Sequence, residues 1–388
     1  MKGLKGVEVR GGAVRVHFRY NGRLCRETIP GPANKRAVEH AHAIAQMIRH
    51  EIRNGTFNYA KYFPESSSLE GNSFGRYLDT WLDLKQQKIA PGTMHGYRSR
   101  AEVHIRPRWG KIQADMIDPI DLEIWLNSLP LKNKTLREVL SIIRQVIALF
   151  RRRNPDARDP TTGITIALPD PEDPDPFTRA EIQAILSQDT DRPSERAMIE
   201  YMIWDGPRVS EAIALAWEDI DLTTGEITYR RSRVMNQYRV TKTRRSKRTH
   251  KLLAPALRAL REQYEITGRL RPTPIEVLDR DNRTLRKQKV RFVWMNTRAG
   301  TPMVSDDYLR DSFFKPHLKA AGVPYRGPGQ CRHTFASQML SSGIVPIPWL
   351  VEHMGHVNTE MIYRRYAKWI REDAPDVAGM INAKLSLS

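Results

Sequence analysis

The sequence predicts a multidomain fold in three parts. These are an N-terminal α+β unit (three-stranded sheet plus helix) over residues 1–65, an all-α four-helix unit over 72–156, and a mainly α unit with a small antiparallel sheet over 170–388. Three observations carry this. The chain has 388 residues, and single cores usually stop near about 100 to 200 residues, so there is room for two or three. Apolar periodicity shifts along the chain from every second residue to helical spacing. Two stretches interrupt it: residues 66–72, a Ser- and Gly-bearing linker, and residues 168–176, whose four prolines exclude helix and impose an extended connection.

In order, Val14, Val16, Phe18 and Tyr20 alternate with Ala13, Arg15, His17 and Arg19, and Gly11-Gly12 and Asn21-Gly22 read as two-residue hairpin turns. One face of that meander is apolar and the other basic. Val38, Ala41, Ala45, Ile48 and Ile52 follow at helical spacing, with Gly55 as a stop. Up to Glu65 there are twelve Lys and Arg against five Asp and Glu, so a small basic sheet packed on one helix is available to lie in a DNA groove. In the second part Phe74, Tyr77, Leu78, Trp81 and Leu82 mark one helix, Pro91-Gly92-Thr93 the start of the next, Asp118-Pro119 a third, and Leu136 to Phe150 the apolar stripe of a fourth. Arg98, Arg100, Arg106, Arg108 and Lys111 crowd the middle of this unit, as expected of a surface that contacts phosphates. In the third part Thr178 and Glu181 form a capping box. Met198, Tyr201 and Met202 place a helix before Gly206-Pro207, and a further helix runs from Ser210 through Ile213, Ala216 and Trp217. Strands are expected at Glu226–Arg231, Tyr238–Lys242 and Thr249–Leu253.

Composition bounds the function. The formal net charge is +19 with a sequence pI near 10.0, and the excess recurs along the chain, which points to nucleic acid as the polyanionic partner. Two cysteines, Cys25 and Cys331, exclude a disulfide framework and a four-cysteine zinc site, so a reducing compartment is the default. Neither an apolar segment behind Lys2 and Lys5 nor a run of about 18 apolar residues occurs. The expectation is a soluble cytoplasmic protein with no membrane partner.

The residues that carry chemistry converge on the C-terminal part. Residues 325–370 hold Arg332-His333-Thr334, Met354-Gly355-His356, Tyr363 and Tyr366; upstream lie Gly206-Pro207-Arg208-Val209-Ser210-Glu211 and Thr241-Lys242-Thr243. Arginine, histidine and tyrosine together can bind a phosphodiester, move protons and attack phosphorus. A zinc reading of His353 and His356 lacks the His-Glu-x-x-His spacing, and no carboxylate cluster suited to two metals lies near these boxes. No metal and no cofactor are expected.

In order and spacing these pieces resemble the catalytic half of the tyrosine recombinases, the phage-type integrases. Gly-x-Arg-x-Ser-Glu with Leu215-Ala216-Trp217-Glu218-Asp219-Ile220 matches the family's first box, Arg332-His333-Thr334 the second and Leu350 to His356 the third. The resemblance implies Arg208 and Arg332 on the scissile phosphate and His356 hydrogen-bonded to it. Lys242 would protonate the departing 5′-oxygen, with Lys247 the nearest competitor, and Tyr366 would be the nucleophile, with Tyr363 packing. Glu211 either buttresses the site or is a charge in the first turn of its helix. The chain departs from the pattern at Gly329, where most relatives place a histidine; His333, Tyr325 and Gln330 are its neighbours, His333 more often packing inward.

Residues 1–65 look like an arm-type DNA-binding domain with Arg15 and Arg19 on its basic face, and residues 72–156 resemble a core-binding domain with Arg98 and Arg100 on the backbone. Arg244 and Arg245 would touch DNA from the basic loop. What this implies is a site-specific recombinase that integrates or excises a phage or mobile element through a 3′-phosphotyrosyl intermediate. It would act in the bacterial cytoplasm as a homotetramer assembled on double-stranded DNA carrying core- and arm-type attachment sites, with DNA-bending or directionality proteins as possible accessories. The residues after Arg371, including Val377 to Leu387, would form either the helix that relatives dock on a neighbour or a frayed tail. The alternatives are a type IB-like topoisomerase, against which the arm-like segment argues, and a catalytically impaired DNA-binding relative, which Gly329 supports.

Overall fold

Alternating side chains build the first sheet. Strands β1 (Val7–Arg10), β2 (Ala13–Tyr20) and β3 (Arg23–Ile29) lie antiparallel in that order. Val14, Val16 and Phe18 are buried on one face. Gly11 and Gly12 take φ of 56° and 75°, the positive values that a tight two-residue hairpin requires at both central positions. Helix α1 (Lys35–Arg53) is capped by the Asn34 side chain, which accepts from the Ala37 amide at 2.8 Å, and buries Ala41, Ala45 and Ile48. Phe57 and Phe63 close the cluster, their ring centroids 5.4 and 5.9 Å from Phe18, and each such burial contributes roughly 1.5–3 kcal/mol.

This computed structural model describes residues 4–20, 23–54, 57, 59–63, 66, 73–170, 172–241, 247–356, 359, 360, 362 and 363; the Asn21-Gly22 turn, Gly55 and the residues after 363 lie outside them. The chain divides into two compact units, one of residues 1–89 with 93–169, the other of 170–388 with 90–92. Besides the cluster around Phe18, the first unit holds a second apolar cluster made by helices α2 (Phe74–Gln86), α3 (Pro91–Arg100), α4 (Pro119–Ser128) and α5 (Asn133–Arg151). After α3 the chain continues through a π-helical turn, Ala101–Ile105, and a helical turn, Arg106–Trp109. Asp118 caps α4 by accepting from the amides of Ile120 and Asp121 at 2.8 and 3.1 Å. On α5, Val139, Leu140, Ile143, Val146, Ile147 and Phe150 are buried, following the expected stripe.

The second unit opens with α6 (Arg179–Ser187), whose capping box is complete: the Glu181 amide donates to Thr178 Oγ1 at 3.2 Å and the Thr178 amide to Glu181 Oε2 at 2.9 Å. Helix α7 (Pro193–Asp205) is buried on nearly every side, and α8 (Val209–Ile213) follows. The helix expected to reach Trp217 stops at Ile213, because the Asp219 carboxylate accepts from the Ala216 amide at 3.2 Å and turns Trp217–Asp219 into a 3-10 turn.

The sheets differ from the expected small antiparallel one. Strand β4 (Glu226–Tyr229) pairs with β7 (Arg248–Lys251), while β5 (Arg231–Val234) pairs with β6 (Gln237–Val240), so the single strand expected at Glu226–Arg231 is split at Arg230. After α9 (Ala254–Thr267), β8 (Thr273–Leu278) returns parallel to β6, with Tyr238 opposite Val277, and β9 (Leu285–Val290) closes a four-stranded mixed sheet. A parallel pair cannot be joined by a tight hairpin, and here β7 and α9 supply the longer crossover it needs. Helices α10 (Gln330–Ser341) and α11 (Ile347–Met354) complete the unit.

Candidate active site

Three turns meet in the second unit. Gly206 ends α7 in the left-handed conformation, φ 66°, and a Cβ there would stand 2.6 Å from the Phe335 ring. Only glycine fits both the backbone and the contact. Its absence of side chain brings the turn carrying Arg208 against α10, which carries Arg332. Arg208 donates from Nη1 to Glu211 Oε1 at 2.8 Å and from its amide to Glu211 Oε2 at 3.0 Å, leaving a side chain that is 43% exposed. Glu211 is buried and also takes Arg248 Nη2 at 3.1 Å. Burial opposes its ionisation, and the guanidiniums of Arg248 and Arg208 outweigh this and hold its pKa below the usual carboxylate value. Glu211 thus stands in the first turn of α8 and is also bonded to two arginines, so the two readings of it coexist.

Arg332 joins all three boxes. Its Nη1 donates to the Gly206 carbonyl at 2.7 Å and its Nη2 to the Met354 carbonyl at 2.6 Å. Those carbonyls stand two residues before Arg208 and two before His356. Gly355, φ 64°, then turns the chain so that the buried His356 amide donates to the Val351 carbonyl at 2.9 Å. Burial first, then the guanidiniums of Arg332, Arg208 and Arg248, push the His356 pKa down to about 3, so its imidazole is neutral at physiological pH. Those charges act on one ring, which puts Arg208, Arg332 and His356 in one electrostatic environment. A neutral imidazole among guanidiniums can donate a hydrogen bond to a phosphate oxygen or accept a proton.

Behind this lies a second polar cluster that sequence reasoning missed. Arg248 lies over the Tyr229 ring, 4.1 Å from its centroid, and donates from Nε to the His353 carbonyl at 2.6 Å. Asp205, fully buried, receives His250 Nε2 at 2.8 Å and His353 Nε2 at 3.4 Å on Oδ1, and the hydroxyls of Tyr201, at 3.2 Å, and Tyr229 on Oδ2. Arg248 was hidden within the basic run 244–248, and Asp205 and the two histidines are separated by up to 148 residues.

Other expected residues fall elsewhere. Lys242, Arg244, Arg245 and Tyr366 lie outside the described residues. Lys247 is exposed. Tyr363 does not pack as expected: it is 51% exposed while its neighbour Ile362 is buried, the helical phase turning the isoleucine inward. His333, expected to pack inward, is half-buried. Gly329 has ordinary helical φ, and a Cβ there would meet nothing within 4 Å. In the first unit Arg15 and Arg19 extend from β2 opposite the buried valines, with Arg15 facing Glu8 and Thr28 across the strands. Arg98 donates to Gln86 at 2.9 Å, Arg100 pairs with Glu138, and Arg106 pairs with Asp79 and Glu102, so part of that positive charge is neutralised within the unit. Among the described residues no helix is long and apolar enough to cross a membrane.

Family models match the chain in succession: Arm DNA-binding domain over residues 4–67, Phage integrase N-terminal SAM-like domain over 73–130, and Phage integrase family over 176–371. The chain is 30% identical to the Prophage integrase IntR of Escherichia coli strain K12, with 98% of each chain aligned. Its fold is similar to that of the Tn1549 transposon integrase solved with a circular intermediate DNA (TM-score 0.63, 17% identity, 81% of this chain and 99% of that one). It is also similar to a lambda integrase in a tetramer bound to a Holliday junction (TM-score 0.58, 14% identity, 96% and 97%). With its catalytic boxes spanned by one family model and a full-length relative alongside, this chain belongs to the phage integrase family and is a tyrosine-type site-specific DNA recombinase.

Proposed function

We propose that Arg208, Arg332 and His356 hold the scissile phosphate while Tyr366 attacks it, leaving a 3′-phosphotyrosyl link and a free 5′-hydroxyl, and that Lys242 protonates the departing oxygen. The observation that carries this is the double hydrogen bond of Arg332 to the Gly206 and Met354 carbonyls, which ties the three boxes into one turn cluster. Two guanidiniums supply the positive charge, and the neutral imidazole a hydrogen bond, that stabilise a pentavalent phosphorane. The phosphotyrosyl bond conserves the energy of the broken phosphodiester, so the free 5′-hydroxyl of a partner duplex can attack it in turn.

In this reading residues 1–65 bind arm-type sites, 72–156 clasp the core site and 170–388 carry the chemistry. Arg15, Arg19, Arg98, Arg100, Arg244 and Arg245 contact the DNA backbone. Four subunits assemble around two duplexes, by analogy with the lambda integrase tetramer on its Holliday junction, and the element moved is a prophage or mobile element, as the name of the IntR relative suggests. The reaction takes place on DNA in the cytoplasm of the host.

The test is a nicked duplex that traps the covalent intermediate. Tyr366→Phe is expected to abolish the adduct and Tyr363→Phe to retain it; an adduct surviving Tyr366→Phe would refute the assignment. Footprints on a short core duplex and on a longer flanking fragment test the domains: protection confined to the longer fragment is expected to vanish when residues 1–65 are deleted.

A further inference from the structure

The cluster around Asp205 touches no atom that would react, yet it holds the backbone that positions those that do. His353 presents its ring to Asp205 and its carbonyl to Arg248 Nε, and the next carbonyl, that of Met354, receives Arg332 Nη2. Arg248 in turn shares Glu211 with Arg208. A displacement of residues 353–354 is therefore felt by both arginines of the site. The His353 ring is wedged between Phe335, centroids 4.8 Å apart, and Trp349, 4.7 Å, and leans on His250 at 3.8 Å.

The tautomers follow from the partners. His353 Nε2 faces the Asp205 carbonyl at 3.0 Å as well as its carboxylate, and His250 Nε2 faces the same carboxylate oxygen. Both Nδ1 atoms are buried with no hydrogen-bond partner among the described residues. A proton on Nδ1 would be an orphaned buried donor, so each ring carries its proton on Nε2 and donates it to Asp205. The same fact disfavours a metal on the three donor atoms, which lie within 4.8 Å of one another: ligation through Nε2 would move each proton to Nδ1, where no acceptor orients it. Tyr201 and Tyr229, hydrogen-bonded to each other, share the other carboxylate oxygen, and with the two histidines they hold Asp205 ionised in the core against burial.

We infer that Asp205 and His353 are positioning residues for DNA cleavage: the Nε2–H of His353, anchored on Asp205, fixes the carbonyls of residues 353 and 354 and through them the guanidiniums of Arg248 and Arg332. This rests on the cleavage reading above. It requires a hydrogen-bond donor at position 353, not merely a side chain that fills the space.

Glutamine places an amide N–H near the position of histidine Nε2, while leucine fills similar volume with no donor. Single-turnover cleavage of a nicked core duplex is compared for the wild type, His353→Gln and His353→Leu, with affinity for the intact duplex measured in parallel. Expected are a rate near wild type for the glutamine variant and a loss of about 10- to 100-fold for leucine, the usual range for an outer-shell support, with affinity retained in both. If the leucine variant fails to bind or fold, the same pair at His250, which donates to the same Asp205 carboxylate oxygen and whose side chain is 10% exposed, carries the comparison. Leucine cleaving as fast as glutamine overturns the inference, as does a Zn²⁺-induced rise in wild-type melting temperature that His353→Gln removes. A wild type that forms no adduct would instead refute the cleavage reading itself, so the two failures are distinct.

Discussion

The N-terminal sheet and the catalytic unit both present arginines, and they arrive at them by opposite routes. On β2, Arg15 and Arg19 share a face because they are four residues apart on a strand, while Val14, Val16 and Phe18 take the other. Local alternation alone sets that surface. In the catalytic unit Arg208 and His356 follow separate turns while Arg332 stands in the first turn of α10, and Arg332 reaches 126 residues back to the Gly206 carbonyl. Their arrangement depends on backbone carbonyls being held in place. A periodic surface should therefore lose function residue by residue, and a clamped site should lose it all at once.

The largest effect expected is on chemistry. Arg332→Ala removes both carbonyl bonds together with the proposed phosphate contact, and the cleavage rate should fall by at least the roughly 10²–10³-fold typical of losing one transition-state donor. Arg15→Ala with Arg19→Ala should leave cleavage of a short core duplex unchanged. Equal losses would erase the contrast.

Next comes stability. Gly206→Ala introduces a Cβ 2.6 Å from Phe335 at a positive φ, and should cost about 1–3 kcal/mol by denaturant titration with a parallel loss of cleavage. Gly12→Ala, also at positive φ but with open space around it, should cost about 1 kcal/mol at most. A larger penalty at Gly12 would show that the hairpin is under tighter constraint than its periodicity suggests.

Acid should act through the catalytic unit. The His356 pKa of about 3 lies below its ordinary 6.5, so the unfolded chain binds a proton that the folded one refuses, and stability is lost as pH falls from about 6.5 toward 3. His353, lowered by burial, acts in the same sense, its hydrogen bond to Asp205 opposing. His356→Gln should flatten the slope between pH 6.5 and 4.5, above the ordinary value of Glu211; an unchanged slope would place the proton uptake elsewhere.

The smallest effect belongs to the arm. Each of Arg15→Ala and Arg19→Ala should reduce the slope of log affinity against log salt on the flanking fragment by about 0.9, the value for one phosphate contact. A change in sequence preference instead would make either arginine a base reader.

These contrasts explain what the sequence disclosed. The capping box at Thr178, the stripe on α5 and the Gly11-Gly12 turn are local and appear as patterns within a few residues. Strand β9 was hidden because Leu-Arg-Lys-Gln-Lys-Val shows no apolar alternation, and its partner β8 because a parallel return depends on where α9 delivers the chain. Within the site, Arg208, Arg332 and His356 were legible through their boxes. The Arg248–Glu211 pair and the Asp205 cluster were not, since a buried ion pair between residues 37 apart leaves no periodic trace. Tyr363 was misjudged because the helical phase that buries Ile362 is set by tertiary packing.

The most direct test of the central claim is single-turnover cleavage of a nicked core duplex in excess EDTA by the wild type, Arg208→Ala and Arg332→Ala. The account predicts a covalent adduct with the wild type and its near-complete loss in either variant despite retained DNA binding. Wild-type rates in both variants, or an adduct that forms only when Mg²⁺ is restored, would contradict it.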